Sequence, residues 1–316
     1  MYKKVVVLGG GTGISYLLKG LKSFPVDITA VITVSDNGRS TGKLREEFNT
    51  PAVGDIRKVI TSLSEIDEPI KEMISYRFKT SSDLDGHAVG NLILTAMLDI
   101  TGSLKDSIKS LSKLLDVRHV VLPISEDSNL TLVGQDEDGN IIEGEEQITK
   151  AHRKFEKIYY KNEPKVLKEV LTALEEADLI LFSMGSLYTS LLPNIICHEV
   201  KESLNKTKAP IIYLCNAVTQ PGETDGFTVS DHIKLINRYL DFKKVDDVIA
   251  SNTKIDVEIA KKYETEEQKD PVIIDYEELE KMNVELIEDD LIVIEDNTLR
   301  HNSLKLSSLI FSYLMR

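Results

Sequence analysis

A turn built almost entirely from glycine, set between an apolar strand and a helix, constrains the fold of this chain more than any other feature. Residues 5–8 are apolar throughout, and the turn reads Gly9, Gly10, Gly11, Thr12 and Gly13. Apolar side chains then recur at helical spacing up to residue 21. A helix N-terminus after such a turn offers free backbone N–H groups and the positive end of the helix dipole to a phosphate. The sequence therefore predicts an α/β fold that binds a nucleotide.

The turn matches known glycine motifs only in part. The dinucleotide fingerprint has glycine at its first, third and sixth positions, and the sixth position counted from Gly9 is Ile14. The phosphate-loop motif is excluded at residues 38–44, because the segment is one residue short between its glycines and ends in Leu44 where Ser or Thr would hold magnesium. A turn that only reverses chain direction in an α/β fold remains an alternative.

Composition and charge narrow the class of protein. With 316 residues and 41% hydrophobic side chains, the chain is expected to form a single nucleotide-binding α/β domain over residues 1–316. The net charge of −14 argues against a broad nucleic-acid or anionic-membrane surface. No apolar run approaches the ~20 residues that span a bilayer, and no secretory signal precedes the first strand. Cys197 and Cys215 are expected to be buried, reduced thiols, which favours a cytoplasmic protein.

Strand and helix patterns alternate through most of the chain. Apolar runs typical of buried strands lie at residues 28–34, 120–124, 179–182, 211–214 and 248–250. Amphipathic patterns typical of helices lie at residues 104–115, 166–174, 233–240 and 304–314. We predict a three-layer α/β fold with a doubly wound, mostly parallel, Rossmann-like sheet. Asp138 and Gly139 form a turn signal that predicts a small β-hairpin excursion, around residues 119–160.

Polar residues directly after the second predicted strand form the first candidate site. Asp36 is placed to accept hydrogen bonds from a ribose, to bind a divalent cation or to accept a proton. The neighbours that we expect around a phosphate are Asn37, Arg39, Ser40 and Thr41. A turn in which Asp36 only caps the next helix is the alternative.

Two later segments add basic and amide groups. Arg57 lies in the first turn of a predicted helix, where it opposes the helix dipole unless an anion compensates. His87 and Asn91 are four residues apart and are expected on one helical face. A hydrogen-bonded core histidine is the alternative for His87. No histidine pair with glutamate has zinc-site spacing, so zinc hydrolysis is not expected.

Polar groups also follow two of the later strands, and the carboxyl ends of parallel strands are where ligands bind in such sheets. After residues 179–182 come Gly185, Ser186 and Tyr188, with Ser186 as a simple helix cap the alternative. After residues 211–214 come Asn216, Thr219 and Glu223, whose side chains are suited to a base edge, a ribose or a sugar.

Six segments, in this order, resemble the bacterial gluconeogenesis factor family, which is related in fold to 2-phospho-L-lactate transferase. The segments are residues 7–13, 36–45, 54–57, 86–92, 185–190 and 216–224. The resemblance implies a cytoplasmic factor that binds UDP-N-acetylglucosamine or a similar nucleotide sugar and is required for cell shape on gluconeogenic carbon sources. The transferase relative moves a phospholactyl-type group from a GDP carrier to a deazaflavin alcohol with magnesium.

The same kinship implies positions for individual residues. Asp36 would lie at the cation or the acceptor, and residues 11–13 at the phosphates. The residues implied around the nucleotide are Asn91, Ser186, Tyr188 and Asn216. Two departures from the family pattern are visible: Asn37 stands where a second acidic residue is common, and residues 183–185 replace a glycine-proline-glycine turn. An amide in place of a carboxylate weakens the case for Mg²⁺.

Three hypotheses from different classes remain. The first is a non-catalytic nucleotide-sugar sensor that acts on a regulatory protein partner, which the sequence does not identify. The second is a phosphodiester-forming transferase that uses a nucleoside diphosphate donor and Mg²⁺, with Asp36 as its catalytic residue. The third is a nicotinamide oxidoreductase, which the incomplete glycine motif disfavours. The apolar closing helix at residues 304–314 suggests a homodimer.

Overall fold

A seven-stranded parallel sheet forms the centre of the molecule. The computed structural model describes residues 2–255, 261, 263, 265, 268–295 and 298–316, and for Arg39 it describes the backbone only. The strands of the central sheet are β1 (Lys3–Gly9), β2 (Val26–Ile32), β3 (Val120–Pro123), β7 (Leu179–Phe182), β8 (Ile211–Leu214), β9 (Asp247–Ser251) and β10 (Glu285–Asp289). Their order is β10-β9-β8-β7-β1-β2-β3, and every pairing is parallel.

Helices flank this sheet. They are α1 (Gly11–Leu21), α2 (Arg39–Phe48), α3 (Gly54–Leu63), α4 (Glu68–Ser75), α5 (Val89–Thr101), α6 (Leu104–Leu114), α7 (Glu145–Lys150), α8 (Lys168–Glu175), α9 (Leu192–Ile195), α10 (His198–Lys206), α11 (Val229–Tyr239), α12 (Tyr276–Lys281) and α13 (Ser303–Leu314). A single π-helical turn, Leu187–Leu191, precedes α9. The architecture confirms the predicted doubly wound, Rossmann-like fold. None of the described helices is long and apolar enough to cross a membrane.

The apolar runs form strands because both faces of a parallel sheet are buried. All six predicted strands lie in the central sheet, and the side chains of β7 and β8 are fully covered. The seventh strand, β10, was not predicted. It pairs only with β9, at the edge of the sheet, and its sequence Glu-Leu-Ile-Glu-Asp keeps charges toward solvent instead of forming an apolar run.

The strand order reverses direction between β1 and β7, and this reversal positions the functional site. From β1 the chain winds outward through β2 and β3, and it then returns to the other side of β1 and winds outward through β7, β8, β9 and β10. The loops after β1 and β7 therefore diverge and leave a crevice at the carboxyl ends of the strands.

A separate antiparallel sheet lies between β3 and β7 in the chain. Its strands are β4 (Leu132–Gln135), β5 (Ile141–Glu143) and β6 (Lys157–Tyr160), in the order β5-β4-β6. The predicted hairpin is confirmed, and Gly139 has the positive φ of 83° that its turn requires. The third strand, β6, was not predicted, and β3 belongs to the central sheet and not to the excursion. A second antiparallel pair, β11 (Ile292–Glu295) and β12 (Thr298–His301), was also not predicted.

Close packing around α1 explains two of the glycines. A Cβ on Gly13 would overlap the carbonyl oxygen of Met184 in the loop after β7, so this glycine lets α1 approach that loop. The packing role that the dinucleotide fingerprint gives to its sixth position is therefore taken by the fifth residue of the turn. On the outer side of α1, Gly20 contacts the backbone of Ser303, and α13 packs its apolar stripe there. Leu306 and Ile310 of the stripe are thus buried within the chain, whereas Leu304 is 58% exposed, and a homodimer remains a prediction.

Candidate functional site

A cavity of about 720 Å³ opens where the loops after β1, β7 and β8 meet. Its volume is in the range of cavities that hold small molecules and cofactors. The described residues that line it are Thr12, Gly13, Tyr16, Thr149, His152, Met184, Gly185, Asn216, Ala217, Val218, Thr219, Gln220, Pro221, Lys269, Leu299, Arg300 and His301. We call this space the crevice cavity. It contains Thr12, Gly13, Gly185, Asn216 and Thr219 of the predicted site.

The crevice cavity is lined by basic and neutral groups. Lys269 and Arg300 are cationic, and none of its described lining residues is Asp or Glu. The Arg300 guanidinium lies 4.6 Å from the centre of the Tyr16 ring, and its buried Nε has no hydrogen-bond partner in the described structure. Burial lowers the pKa of His301 to about 4, so this imidazole is neutral at neutral pH. In a chain of net charge −14, such a lining favours an anionic ligand.

Asn216 holds the two loops of the cavity wall together. Its side-chain oxygen accepts a hydrogen bond from Gly185 N at 2.8 Å, and its side-chain nitrogen donates to Gly185 O at 2.8 Å. Thr219 is nearly buried, and its hydroxyl accepts from Asp270 N at 2.9 Å. Both side chains were predicted to contact a nucleotide. Here they fix the shape of the wall, and direct ligand contact by either remains a prediction.

Glu223 is a buried carboxylate that organises the turn after β7. It accepts hydrogen bonds from Ser186 Oγ at 2.8 Å and from Tyr188 N at 2.9 Å. Burial raises the pKa of Glu223 to about 7, and the bonds from this turn oppose the rise. The Tyr188 hydroxyl accepts from Phe155 N at 3.1 Å. Within the described structure, the three predicted nucleotide contacts Ser186, Tyr188 and Glu223 therefore bind one another and the backbone.

Three carboxylates converge on the other side of the α1 N-terminus, and we call them the acidic corner: Asp36, Asp55 and Glu145. Burial, followed by the charge of Asp55, raises the pKa of Asp36. Burial and the charge of Asp36 raise the pKa of Glu145, and the two carboxyl groups are hydrogen-bonded. Asp36 is also bonded to Gly38 N at 2.9 Å and to the Thr41 hydroxyl. Among the described residues, no three His, Cys, Asp or Glu side chains are arranged to hold a metal ion.

The glycine turn is tied to the acidic corner through its backbone. Gly11 has a φ of +67°, and its N–H donates to Asp55 Oδ2 at 2.6 Å. A Cβ on Gly10 would press on Thr33 and on the same carboxylate. Asp55 lies in the first turn of α3, and its side chain bonds the glycine turn and pairs with Lys58 at 2.9 Å. One of the amides predicted to bind a phosphate thus already has an anionic partner.

Arg57, Asn91, Ser40 and His87 form a buried polar network beside the corner. Arg57 Nε donates to Asn91 Oδ1 at 3.0 Å, and Asn91 Nδ2 donates to Ser40 Oγ at 3.2 Å. His87 Nδ1 lies 3.1 Å from the same hydroxyl. The prediction that His87 lies on the helical face is wrong: α5 begins at Val89 after an extended Ala88, and backbone hydrogen bonds among residues 76–88 hold His87 in the loop before the helix.

Arg45 and Asn37 join the loop after β2 to the antiparallel excursion. The Arg45 guanidinium donates to four carbonyl oxygens, those of Ser35, Asp36, Ser128 and Leu130, at 2.8–3.1 Å. Asn37 binds Gln147 at 3.0 Å and accepts from Glu146 N at 2.9 Å. These contacts bring Glu145 of the excursion to Asp36. The predicted phosphate contact of the Arg39 side chain lies outside the described structure.

The structure brings the predicted residues to one edge of the sheet, in three neighbouring groups. Thr12 of the glycine turn lines the crevice cavity and also a second cavity. Arg57 lines that second cavity and bonds Asn91, so the polar network lies next to the glycine turn. Sequence reasoning missed Glu145, Tyr16 and Arg300. No residue pattern marks Glu145 and Arg300, because the antiparallel excursion and β12 bring them to the site from distant parts of the chain. Tyr16 lies on α1 itself, within the pattern that predicts the helix.

Comparison with known proteins adds a family. A family model described as "2-phospho-L-lactate transferase CofD" matches residues 5–292. A protein of Halalkalibacterium halodurans named "Gluconeogenesis factor" is 42% identical over 98% of this chain and 95% of its own length. A Bacillus subtilis protein of the same name is 40% identical over 98% of both chains. A crystal structure of a Bacillus halodurans protein superposes with a TM-score of 0.95 at 42% identity, covering 98% of this chain and all of that one.

Proposed function

The chain belongs to the 2-phospho-L-lactate transferase CofD family, among relatives named gluconeogenesis factor, and we propose that it is a cytoplasmic nucleotide-sugar sensor. Its ligand is UDP-N-acetylglucosamine or a close analogue, bound in the crevice cavity. Occupancy of the cavity changes its affinity for a protein partner that controls cell shape during gluconeogenic growth. It binds without turnover.

The observation that carries this proposal is the charge of the crevice cavity. Its basic lining and the N-terminus of α1 favour a diphosphate, and the acidic corner lies outside the described lining residues. The cavity is also larger than a phosphate requires, and its backbone and amide groups suit a uracil and a sugar. A wall already fixed by Asn216 and Glu223 would bind with little ordering cost.

Calorimetry with UDP-N-acetylglucosamine, UDP, GDP and NAD tests the proposal. UDP-N-acetylglucosamine is expected to bind, and Arg300→Gln to weaken it roughly tenfold, as the loss of one charge-assisted contact would. Arg316→Gln is the matched control, because Arg316 also lies over a tyrosine ring, that of Tyr313 at 5.6 Å, and does not line the cavity. Equal affinity in wild type and Arg300→Gln, or tighter binding of NAD, contradicts the proposal.

The acidic corner favours a second function, a phosphodiester-forming transferase with a GDP-activated donor. Mg²⁺ is commonly held by one or two carboxylates together with substrate phosphates, and Asp36 with Asp55 or Glu145 supplies such oxygens. When bound, the ion would neutralise charge that develops on the leaving GMP as the P–O–P bond of the donor breaks. Asp36 would orient the acceptor hydroxyl, and Arg57 would add positive charge nearby.

Incubation with a GDP-activated phospholactyl-type donor, a deazaflavin alcohol and Mg²⁺ separates the two functions. A transferase releases GMP, and Asp36→Asn abolishes that release. A sensor releases none while it still binds the UDP-sugar. GMP release by wild type that Asp36→Asn removes would replace the sensor proposal with the transferase.

A further inference from the structure

A second cavity lies beside α1 and shares the lining residues Thr12 and Tyr16 with the crevice cavity. It has a volume of about 590 Å³ and lies between α1, α3 and α4. The described residues that line it are Thr12, Ser15, Tyr16, Lys19, Lys22, Arg57, Lys58, Thr61, Ser62, Glu68, Lys71, Glu72 and Ser75. We call it the helix cavity. Nothing in the proposed nucleotide-sugar function uses it.

Cations outnumber carboxylates in this lining by five to two, in a chain whose net charge is −14. Three of the lysines are paired: Lys58 with Asp55 at 2.9 Å, Lys71 with Glu68 at 3.4 Å, and Lys22 with Glu65 at 3.4 Å. Within the described residues, no carboxylate lies within ion-pair distance of Arg57 or Lys19. Arg57 and Lys19 therefore face the cavity without a direct ion pair, although the charge of Asp55 acts on Arg57 from a longer distance.

Arg57 is the stronger of these two observations, because only 5% of it is exposed. Its Nε donates to Asn91, and within the described residues its terminal Nη atoms have no hydrogen-bond partner. Burial, followed by the positive charge of Arg77, lowers the pKa of Arg57 to about 10, which still leaves it charged at neutral pH. A side chain that is 5% exposed and whose two Nη groups are not bonded within the described residues suits an anion.

The hydroxyl groups of the lining indicate what accompanies the anion. Ser15, Thr61 and Ser62 each donate their proton to a carbonyl oxygen four residues earlier in their own helix. Each hydroxyl oxygen therefore faces the cavity as an acceptor and suits a ligand that carries several hydroxyl donors. Tyr16 is the aromatic residue among the described lining residues, and Arg300 already lies over its ring. The lining thus offers a single tyrosine ring, one face of which Arg300 already covers, so the hydroxyl groups and cations dominate it.

We propose that the helix cavity binds a polyhydroxylated phosphomonoester, a ligand of the sugar-phosphate class. Its phosphate binds Arg57 and Lys19, and its hydroxyl groups donate to the serine and threonine oxygens. This site is separate from the crevice cavity, so the proposal does not depend on the nucleotide-sugar function. Thr12 and Tyr16 line both cavities, which gives a ligand in one a direct contact with the wall of the other.

The test is a calorimetric titration of the full chain with glucose 6-phosphate, with glucose and inorganic phosphate as probes of each half of the ligand. Glucose 6-phosphate is expected to bind more tightly than phosphate, and glucose not to bind. Lys19→Glu should weaken binding roughly tenfold or more, and Arg57→Lys should weaken it as well. Lys109→Gln, an exposed lysine on α6, is the matched control and should change nothing.

A repeat at saturating UDP-N-acetylglucosamine separates this site from the crevice cavity. Glucose 6-phosphate is expected to bind under those conditions, and Lys19→Glu to leave UDP-N-acetylglucosamine binding intact. The proposal is overturned by any of three results: no binding of glucose 6-phosphate at millimolar concentration, equal affinity in wild type and Lys19→Glu, or complete displacement by the nucleotide sugar. Because Lys19 is largely exposed, its variant tests the site even if Arg57→Lys unfolds.

Discussion

Buried carboxylates lie on both sides of the α1 N-terminus, and the two sides differ in what surrounds the carboxylates. Glu223 accepts hydrogen bonds from a hydroxyl and from backbone N–H groups of the turn after β7. Asp36 and Glu145 instead lie in the acidic corner, where the charge of Asp36 raises the pKa of Glu145 and the charge of Asp55 raises the pKa of Asp36. Glu223 holds a loop in shape, whereas Asp36 and Glu145 lie beside other carboxylates that disfavour their ionised forms. Residue type alone therefore does not distinguish a positioning group from a group that awaits a proton, a cation or a ligand.

The largest expected effect on stability concerns Glu223, the carboxylate that positions the turn after β7. Glu223→Ala leaves the Ser186 hydroxyl and the Tyr188 N–H without their acceptor, and should lower the free energy of unfolding by about 3 kcal/mol. Glu223→Gln retains an acceptor and should cost less. Urea denaturation of the three proteins measures both differences. A loss below about 1 kcal/mol for Glu223→Ala would mean that the turn keeps its shape without this carboxylate.

Removal of the Asn216 amide is expected to have the next largest effect. Asn216→Ala breaks both bonds to the Gly185 peptide and should cost about 2 kcal/mol of stability. Nucleotide-sugar affinity should fall as well, because the wall of the crevice cavity loses its shape. Thermal denaturation and calorimetry on the same samples measure the two changes. Lost affinity at unchanged stability would instead indicate that Asn216 contacts the ligand directly.

The pH dependence of stability compares the two sides directly. Glu223, Asp36 and Glu145 all have raised pKa values, so each binds its proton more tightly in the folded state. Their contribution is complete below the unfolded pKa and is lost as pH rises through the folded value, which is about 7 for Glu223. Wild-type stability should therefore fall from pH 5 to pH 8. Glu223→Gln should flatten that fall by about 1 kcal/mol or more, and Asp36→Asn should flatten it as well.

The smallest expected effect separates the two sides most clearly. Mg²⁺ should raise the melting temperature of wild type at pH 8 by roughly 2 °C, because it relieves repulsion in the acidic corner. Glu223→Gln should respond as wild type does, and Asp36→Asn should not respond. Differential scanning calorimetry with and without millimolar Mg²⁺ measures the shift. Equal shifts in all three proteins would remove the acidic corner as the site of the effect.

The structural features that the sequence predicts well are those determined by residues adjacent in the chain. The apolar runs gave six of the seven central strands, and Asp138 with Gly139 gave the hairpin, because burial on both faces and a tight turn leave marks in adjacent residues. The edge strand β10 has only two apolar residues, Leu286 and Ile287, between charged ones, and left no such mark. His87 was misplaced because loop pairing, which acts over more than ten residues, determines where α5 begins.

The candidate site was predicted less completely for the same reason. Strand ends identified Asp36, Gly185 and Asn216 as neighbours, since parallel strands present their carboxyl ends at one edge. Glu145 and Arg300 come from the antiparallel sheets, whose docking on the central sheet depends on contacts far apart in the chain. Whether a polar group such as Glu223 binds a ligand or the backbone depends on the loop conformation. Local residue patterns do not reveal that conformation.

The four hydrogen bonds from Arg45 to carbonyl oxygens affect how this molecule unfolds. One guanidinium links the segment after β2 to the strand-forming insertion some 80 residues later in the chain. We therefore expect the antiparallel excursion to unfold together with the central domain and not as an independent unit. Amide protons in β4 and in α2 should exchange with deuterium together, in one cooperative opening, and Arg45→Met should uncouple the two exchange rates.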